Sequence, residues 1–296
     1  MSKNSSVNRP NLFIVGAPKS GTTLLYHFLN NHPEAFMSEP KETNFFSYVP
    51  IKKQKLYYDA EKIQTLEQYE LLFSEAKDHK VIGEGSVSYL YYPNVAHDLF
   101  QYNPQANIIV LLRNPVERAL SHFLMDSRLG FIQDSAEEIF YKQSKHKNAH
   151  LFFQQVFELG LYNTQLKRYF ENFPEKQIHI FFYDEIKKDT NAFFQEVCNK
   201  LGLSQVEFKF SSSNRNAFEA PKGKAIASLY KSERLRKLSK FLIPKSLIGK
   251  IKETFFTKEK PAFSEQFLKD VDLYYADSII ELEQMLDRPL DQWKSK

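Results

Sequence analysis

The segment Gly16-Ala17-Pro18-Lys19-Ser20-Gly21-Thr22-Thr23 concentrates the residue types that hold an anion: one lysine, three hydroxyls, and a glycine near each end. Leu12-Phe13-Ile14-Val15 precedes it as an apolar run, and Leu24, Leu25, Phe28 and Leu29 follow at helical spacing. A strand feeding a tight loop that opens a helix aims successive backbone N–H groups and the positive end of a helix dipole at one spot. A phosphate or a sulfate suits that spot. The ATPase version of such a loop, G-x-x-x-x-G-K-[ST], has its lysine directly after the second glycine. Here Thr22 takes that place, and Lys19 lies inside the loop. The anion cradle is kept and the cation is moved. That argues against an ordinary Mg-ATP enzyme and towards a different anionic nucleotide.

Four further segments carry chemistry. Asn107-Ile108-Ile109-Val110-Leu111-Leu112 reads as a buried strand and runs into Arg113-Asn114-Pro115-Val116-Glu117-Arg118-Ala119-Leu120-Ser121. A guanidinium at a strand end offers a planar fork to phosphate, and a hydroxyl in the following helix adds a donor. Pro115 fits the first position of that helix. Lys41-Glu42-Thr43-Asn44-Phe45-Phe46 lies close after the first helix, and Gly83-Glu84-Gly85-Ser86-Val87-Ser88-Tyr89 closes another strand run. Asn214-Arg215-Asn216 and Pro221-Lys222-Gly223-Lys224 form a polar, basic loop between apolar segments, in which glycine lets the lysines approach a phosphate closely.

Together these segments resemble the sulfotransferases that use 3′-phosphoadenosine-5′-phosphosulfate (PAPS), in particular bacterial members of the carbohydrate and heparan-sulfate-type branch. The resemblance runs from about residue 10 to the C-terminus. It implies that Lys19, Ser20, Gly21, Thr22 and Thr23 hold the 5′-phosphosulfate, and that Arg113 and Ser121 hold the 3′-phosphate. Lys222, Gly223 and Lys224 would close over the 3′-phosphate and adenine. Glu42 matches the family's base, which takes a proton from an acceptor hydroxyl or amine, and Lys19 would neutralise charge on the leaving oxygen. The family often carries a histidine where Asn44 stands, and some heparan-type members carry a lysine where Gly85 stands. The implied acceptor is a carbohydrate, a glycolipid or a small hydroxylated metabolite. No metal is expected, because a sulfuryl group carries less charge than a phosphoryl group and one lysine with a helix N-terminus can serve it. Two alternatives stay open. One is a P-loop kinase-like phosphotransferase, which needs a lysine after Gly21. The other is a non-catalytic nucleotide- or glycan-binding protein on the same fold.

The elements that must position these residues alternate along the chain. Leu12–Val15, Val81–Gly83, Ile108–Leu112 and Ile178–Phe182 are short apolar runs bounded by polar residues, as in a parallel sheet covered on both faces. Helical patterns lie between them, including Leu66–Phe73 and Tyr162–Phe173, and Pro33 stops the first helix. The expected fold is α/β: a P-loop-NTPase-like three-layer fold with a central parallel sheet flanked by helices. Residues 1–10 read as a disordered tail and residues 11–296 as one domain.

Composition bounds the rest. The 296 residues are 42% hydrophobic and 26% charged, the balance of a globular protein with a full core. A net charge of +4 demands no nucleic-acid footprint. The single cysteine, Cys198, permits no intramolecular disulfide and sits on the apolar face of a helical pattern. His146 and His150 have helical ligand spacing, yet nothing adjacent completes a metal set. Residues 225–261 are rich in Lys and Arg with apolar residues near helical spacing, so peripheral contact with an anionic membrane is open to them. Residues 1–11 lack an apolar core, and no stretch approaches the ~20 apolar residues of a membrane span. Cytoplasmic residence is the expectation.

Overall fold

The structure, a computed structural model, describes residues 8–58, 63–207, 220–221, 256–257 and 261–294. In chain order its elements are β1 (Leu12–Gly16), α1 (Thr22–Asn30), β2 (Ala35–Met37), α2 (Tyr48–Gln54), α3 (Leu66–Leu71), β3 (Val81–Glu84), α4 (Val95–Tyr102) and β4 (Asn107–Leu112). They continue with α5 (Pro115–Arg128), α6 (Ala136–Phe140), α7 (Ala149–Val156), α8 (Tyr162–Asn172), β5 (Ile178–Phe182), α9 (Tyr183–Lys188) and α10 (Thr190–Leu201). Last come the short strands β6 (Ala220–Pro221) and β7 (Phe256–Thr257) and the helix α11 (Glu265–Leu286). The described residues gather into two compact units.

The first unit draws on Met1–Asn114, Leu161–Lys209 and Ser278–Leu290. Its frame is a five-stranded parallel sheet in the order β2-β3-β1-β4-β5. All five residues of β1 are buried, which explains why its sequence reads as a continuous apolar run. Successive side chains of a strand face opposite sides of a sheet. Leu12 and Ile14 join Leu25, Phe28 and Leu29 of α1 and Phe193, Phe194, Val197 and Cys198 of α10 in one core, where the Phe28 and Phe194 rings stack 4.0 Å apart. Phe13 points the other way and meets Phe46 edge-on. There Tyr69, Phe73, Ala76 and Ile82 form a second core with Phe45, Phe46 and Tyr102. Helix, sheet and helix thus form three layers, as expected. β2 had no counterpart in the sequence reading: its three residues pair with β3 alone, at the sheet's edge.

The second unit draws on Pro115–Gly160, Phe210–Asp277 and Asp291–Lys296. On α5, Arg118, His122 and Asp126 form a buried polar stripe one helical turn apart. Arg118 donates to the carbonyls of Gln155 and Val156 and lies 3.2 Å from His122 Nδ1. The Ser135–Glu138 capping box starts α6: the Ser135 hydroxyl accepts from the Glu138 amide and the Glu138 carboxylate from the Ser135 amide. Phe140 packs against Phe157, Phe267 and Tyr274. The basic stretch 225–261 lies outside the described residues, apart from the two residues of β7 and Pro261. No helix among the described residues is long and apolar enough to cross a membrane.

Candidate functional site

In an open parallel sheet, ligands bind beyond the carboxyl ends of the strands, where the strand order reverses. β1 is that point, with β3 on one side and β4 on the other. The chain leaves β1 through the Gly16–Thr23 loop, β3 through Gly85 and β4 through Arg113. The sheet therefore brings three of the five sequence motifs to one edge.

The loop has reasons for its glycines. A Cβ on Gly16 would stand 2.8 Å from Leu90 Cβ, and Gly21 has φ +97°, with Ile186 Cδ1 3.0 Å from where its Cβ would be. The Ala17 amide donates to the Leu111 carbonyl at 2.7 Å, fixing the loop to β4. Gly21 is the N-cap of α1, and no side chain caps the helix. The first amides of α1 are thereby left for an outside acceptor. Ser20 is fully buried, and its hydroxyl has no hydrogen-bond partner among the described residues. A buried, unmatched hydroxyl is costly, and a bound oxyanion would satisfy it. Thr22 is buried and Thr23 exposed. Lys19, half-buried at φ 69°, sits where the loop turns. A phosphosulfate group therefore fits the residues present.

Arg113 reaches back to this loop. Its guanidinium donates to the Lys19 carbonyl at 3.2 Å and lies over the Tyr183 ring, 4.8 Å from the centroid. The Tyr162 hydroxyl donates to the Arg113 carbonyl at 2.8 Å. Ser121 is half-buried on α5 and belongs to the second unit. Lys222, Gly223 and Lys224, with Asn214-Arg215-Asn216, lie outside the described residues.

Glu42 is held by an ammonium absent from the sequence expectations. Lys41 Nζ lies 3.0 Å from Glu42 Oε1 and donates to Thr22 Oγ1 at 3.4 Å. Sequence reasoning also missed Glu84, which supports the loop that carries Glu42. Glu84 is fully buried, and its Oε2 accepts from the hydroxyls of Thr43 (2.6 Å) and Ser86 (2.7 Å). Its Oε1 accepts from Tyr69 (2.6 Å) and Tyr89 (2.9 Å). Burial holds the Glu84 carboxyl above its ordinary value despite these bonds, and burial followed by the charge of Glu84 pushes both phenols well up. Thr43 and Tyr89 pass the order on, accepting from the amides of Phe45 and Phe46. Phe45 stacks on Tyr69 at 4.6 Å. Asn44, at φ 50°, donates its backbone N–H to Ser86 Oγ, and its side-chain Oδ1 accepts from Ser88 Oγ at 2.6 Å, so its side chain is bound into the scaffold. A sequence signal for Glu84 existed in its place at the end of an apolar run, where an acid needs partners. Among the described residues no His, Cys, Asp and Glu cluster could hold a metal ion.

Fold and site define an α/β protein of the P-loop-NTPase type whose loop carries a displaced lysine. The sulfotransferase domain family matches residues 9–282, and the chain belongs to it. A sulfotransferase from Alicyclobacillus acidocaldarius has the same fold, with a TM-score of 0.70 at 25% identity over 97% of this chain and 99% of that one. The membrane-associated sulfotransferase kil1 of Dictyostelium discoideum is 34% identical over 114 residues, 38% of this chain and 22% of that protein. The bifunctional heparan sulfate N-deacetylase/N-sulfotransferase 1 of Caenorhabditis briggsae is 24% identical over 213 residues, 69% of this chain and 24% of that protein. The matches thus span about a quarter of the length of these two curated relatives.

Proposed function

We propose that this chain moves a sulfuryl group from PAPS to a hydroxyl or amine of a carbohydrate-type acceptor, with Glu42 as the base. The observation that carries the reading is the Gly16–Thr23 loop: an uncapped helix N-terminus, a buried unmatched Ser20 hydroxyl, and an arginine at the next strand end tied to its backbone. Membership of the sulfotransferase family and kinship with a heparan sulfate N-sulfotransferase support the choice of donor and acceptor class.

The bound nucleotide supplies a sulfuryl group activated by its link to phosphate. Ser20, Gly21, Thr22 and Thr23 hold its 5′ end through amides and hydroxyls at the positive end of α1. Lys19 faces the charge that grows on the leaving oxygen, a term worth several kcal/mol in a dry site. Arg113 and Ser121, with Lys222, Gly223 and Lys224, select the 3′-phosphate. Glu42, on a loop braced by Glu84 and the Phe45–Phe46 pair, takes the acceptor's proton as the acceptor attacks. The lysine and the helix dipole supply the positive charge without a metal. Cytoplasmic residence belongs to the same proposal.

The test is calorimetry with 3′-phosphoadenosine-5′-phosphate (PAP), ADP and ATP, each with and without Mg²⁺. Tight, Mg-independent binding that needs the 3′-phosphate supports the reading. A preference for Mg-ATP overturns it.

A further inference from the structure

We infer that Lys41 is a second lysine of the transfer site, one that grips the sulfuryl group itself rather than the nucleotide's phosphates. The inference rests on the PAPS reading above. Its backbone is firmly set: the Gly85 amide donates to the Lys41 carbonyl at 3.1 Å, and the Ser38 amide donates to Gly83 at 2.9 Å. From there the side chain runs across the face of Gly85. A Cβ on that glycine would lie 3.5 Å from Lys41 Cε and 3.6 Å from Cγ, so the bare backbone at 85 is the lane in which the lysine stem lies. The ammonium ends between Glu42 Oε1 at 3.0 Å and Thr22 Oγ1 at 3.4 Å, with the side chain only 15% exposed against 41% for Glu42.

That position is costly without a ligand. A largely buried ammonium stands at the N-terminus of α1, where the helix dipole is also positive. Glu42 offsets part of the repulsion. A third donor of the ammonium remains for another anion. In the transfer, the acceptor's proton passes to Glu42, a bond forms from the acceptor atom to sulfur, and the bond from sulfur to the bridging oxygen breaks. The bond's electron pair leaves on PAP. The sulfur must therefore lie between Glu42 and the α1 N-terminus, and Lys41 touches both. It holds the carboxylate by Oε1, leaves Oε2 to accept the proton, and presents its third proton to a sulfuryl oxygen.

The experiment compares PAP with PAPS, which differ only in the sulfuryl group, by calorimetry on the full chain. Lys41→Met and Lys41→Gln keep the stem and remove the charge, and Lys41→Arg restores a cation. A lost charge-assisted hydrogen bond corresponds to about tenfold or more in affinity. Wild type is expected to favour PAPS over PAP, and both neutral variants to lose about tenfold for PAPS with PAP held within about threefold. Lys41→Arg should recover part of the preference, and the unfolding temperature should stay near that of wild type in all three. An unchanged ratio of PAPS to PAP affinity in the neutral variants, with or without a common loss for both nucleotides, overturns the assignment of Lys41 and leaves the PAPS reading intact. Failure of wild type to bind either nucleotide overturns that reading, and this inference with it.

Discussion

The Arg113 guanidinium donates to the backbone carbonyl of Lys19, joining the end of β4 to the anion loop across 94 residues of sequence. One side chain thus shapes the loop that would meet the 5′ end of a nucleotide, and in the proposed function the same guanidinium would offer its planar fork to the 3′-phosphate. The Tyr183 ring beneath it restricts the guanidinium plane.

Replacing Arg113 should separate these two tasks. Arg113→Ala is expected to weaken PAP by about 10- to 100-fold, the scale of a lost charge-assisted pair. AMP, which lacks the 3′-phosphate, should weaken much less. Calorimetry with both nucleotides reads the difference. Equal losses would make Arg113 a strut of the loop and remove it from 3′-phosphate recognition.

Glu42→Gln keeps the shape of the side chain and removes its basicity. Transfer from PAPS should fall by about 10²- to 10⁴-fold, the range of a general base, while PAP affinity stays within a few-fold. Rates of PAP release with a carbohydrate acceptor would report the first quantity and calorimetry the second. A variant with full activity would take Glu42 out of the mechanism.

Much of this architecture is visible in the sequence because it is local. β1, β3, β4 and β5 are apolar runs bounded by turns, and their boundaries fall within one residue of expectation. The anion loop is visible because its glycines, lysine and hydroxyls are contiguous. Lys41 and Glu84 are a different matter. Lys41 sits beside Glu42 in the chain, but its meaning comes from Thr22, 19 residues away, and from the empty face of Gly85. Glu84 is read correctly only when Thr43, 41 residues away, and Tyr69, 15 residues away, are known to converge on it. β2 is hidden for yet another reason: three residues paired on one side are too short a run to leave a pattern.

Glu84 makes stability depend on pH in an uncommon direction for a carboxylate. Its folded value lies above the ordinary 4.5, so over that interval the native state keeps a proton that the unfolded chain has released. Stability should therefore fall as pH rises from 4.5 through the raised value, not as it falls. Glu84→Gln lacks this slope. An amide can also no longer accept from all four hydroxyls, so the variant should be less stable by about 1–3 kcal/mol. That gap should narrow as pH rises. Urea unfolding of both proteins across the weakly acidic range measures it, and a gap that widens with pH would contradict the burial argument.

Ser20 offers the sharpest separation of stability from binding. In the free protein its buried hydroxyl has no partner among the described residues, and such a group costs about 1–3 kcal/mol. Ser20→Ala removes that cost and opens only a small void, so the free variant should melt at or slightly above the wild-type temperature. PAP should bind it more weakly, by about five- to tenfold, because one hydrogen bond to the oxyanion is gone. Thermal melts with and without PAP then move in opposite senses: the free protein gains or holds, and the nucleotide-induced shift shrinks. If the free variant were clearly destabilised with an undiminished shift, Ser20 would be a structural hydroxyl, and the case for an anion seated on α1 would rest on the glycines and the helix alone.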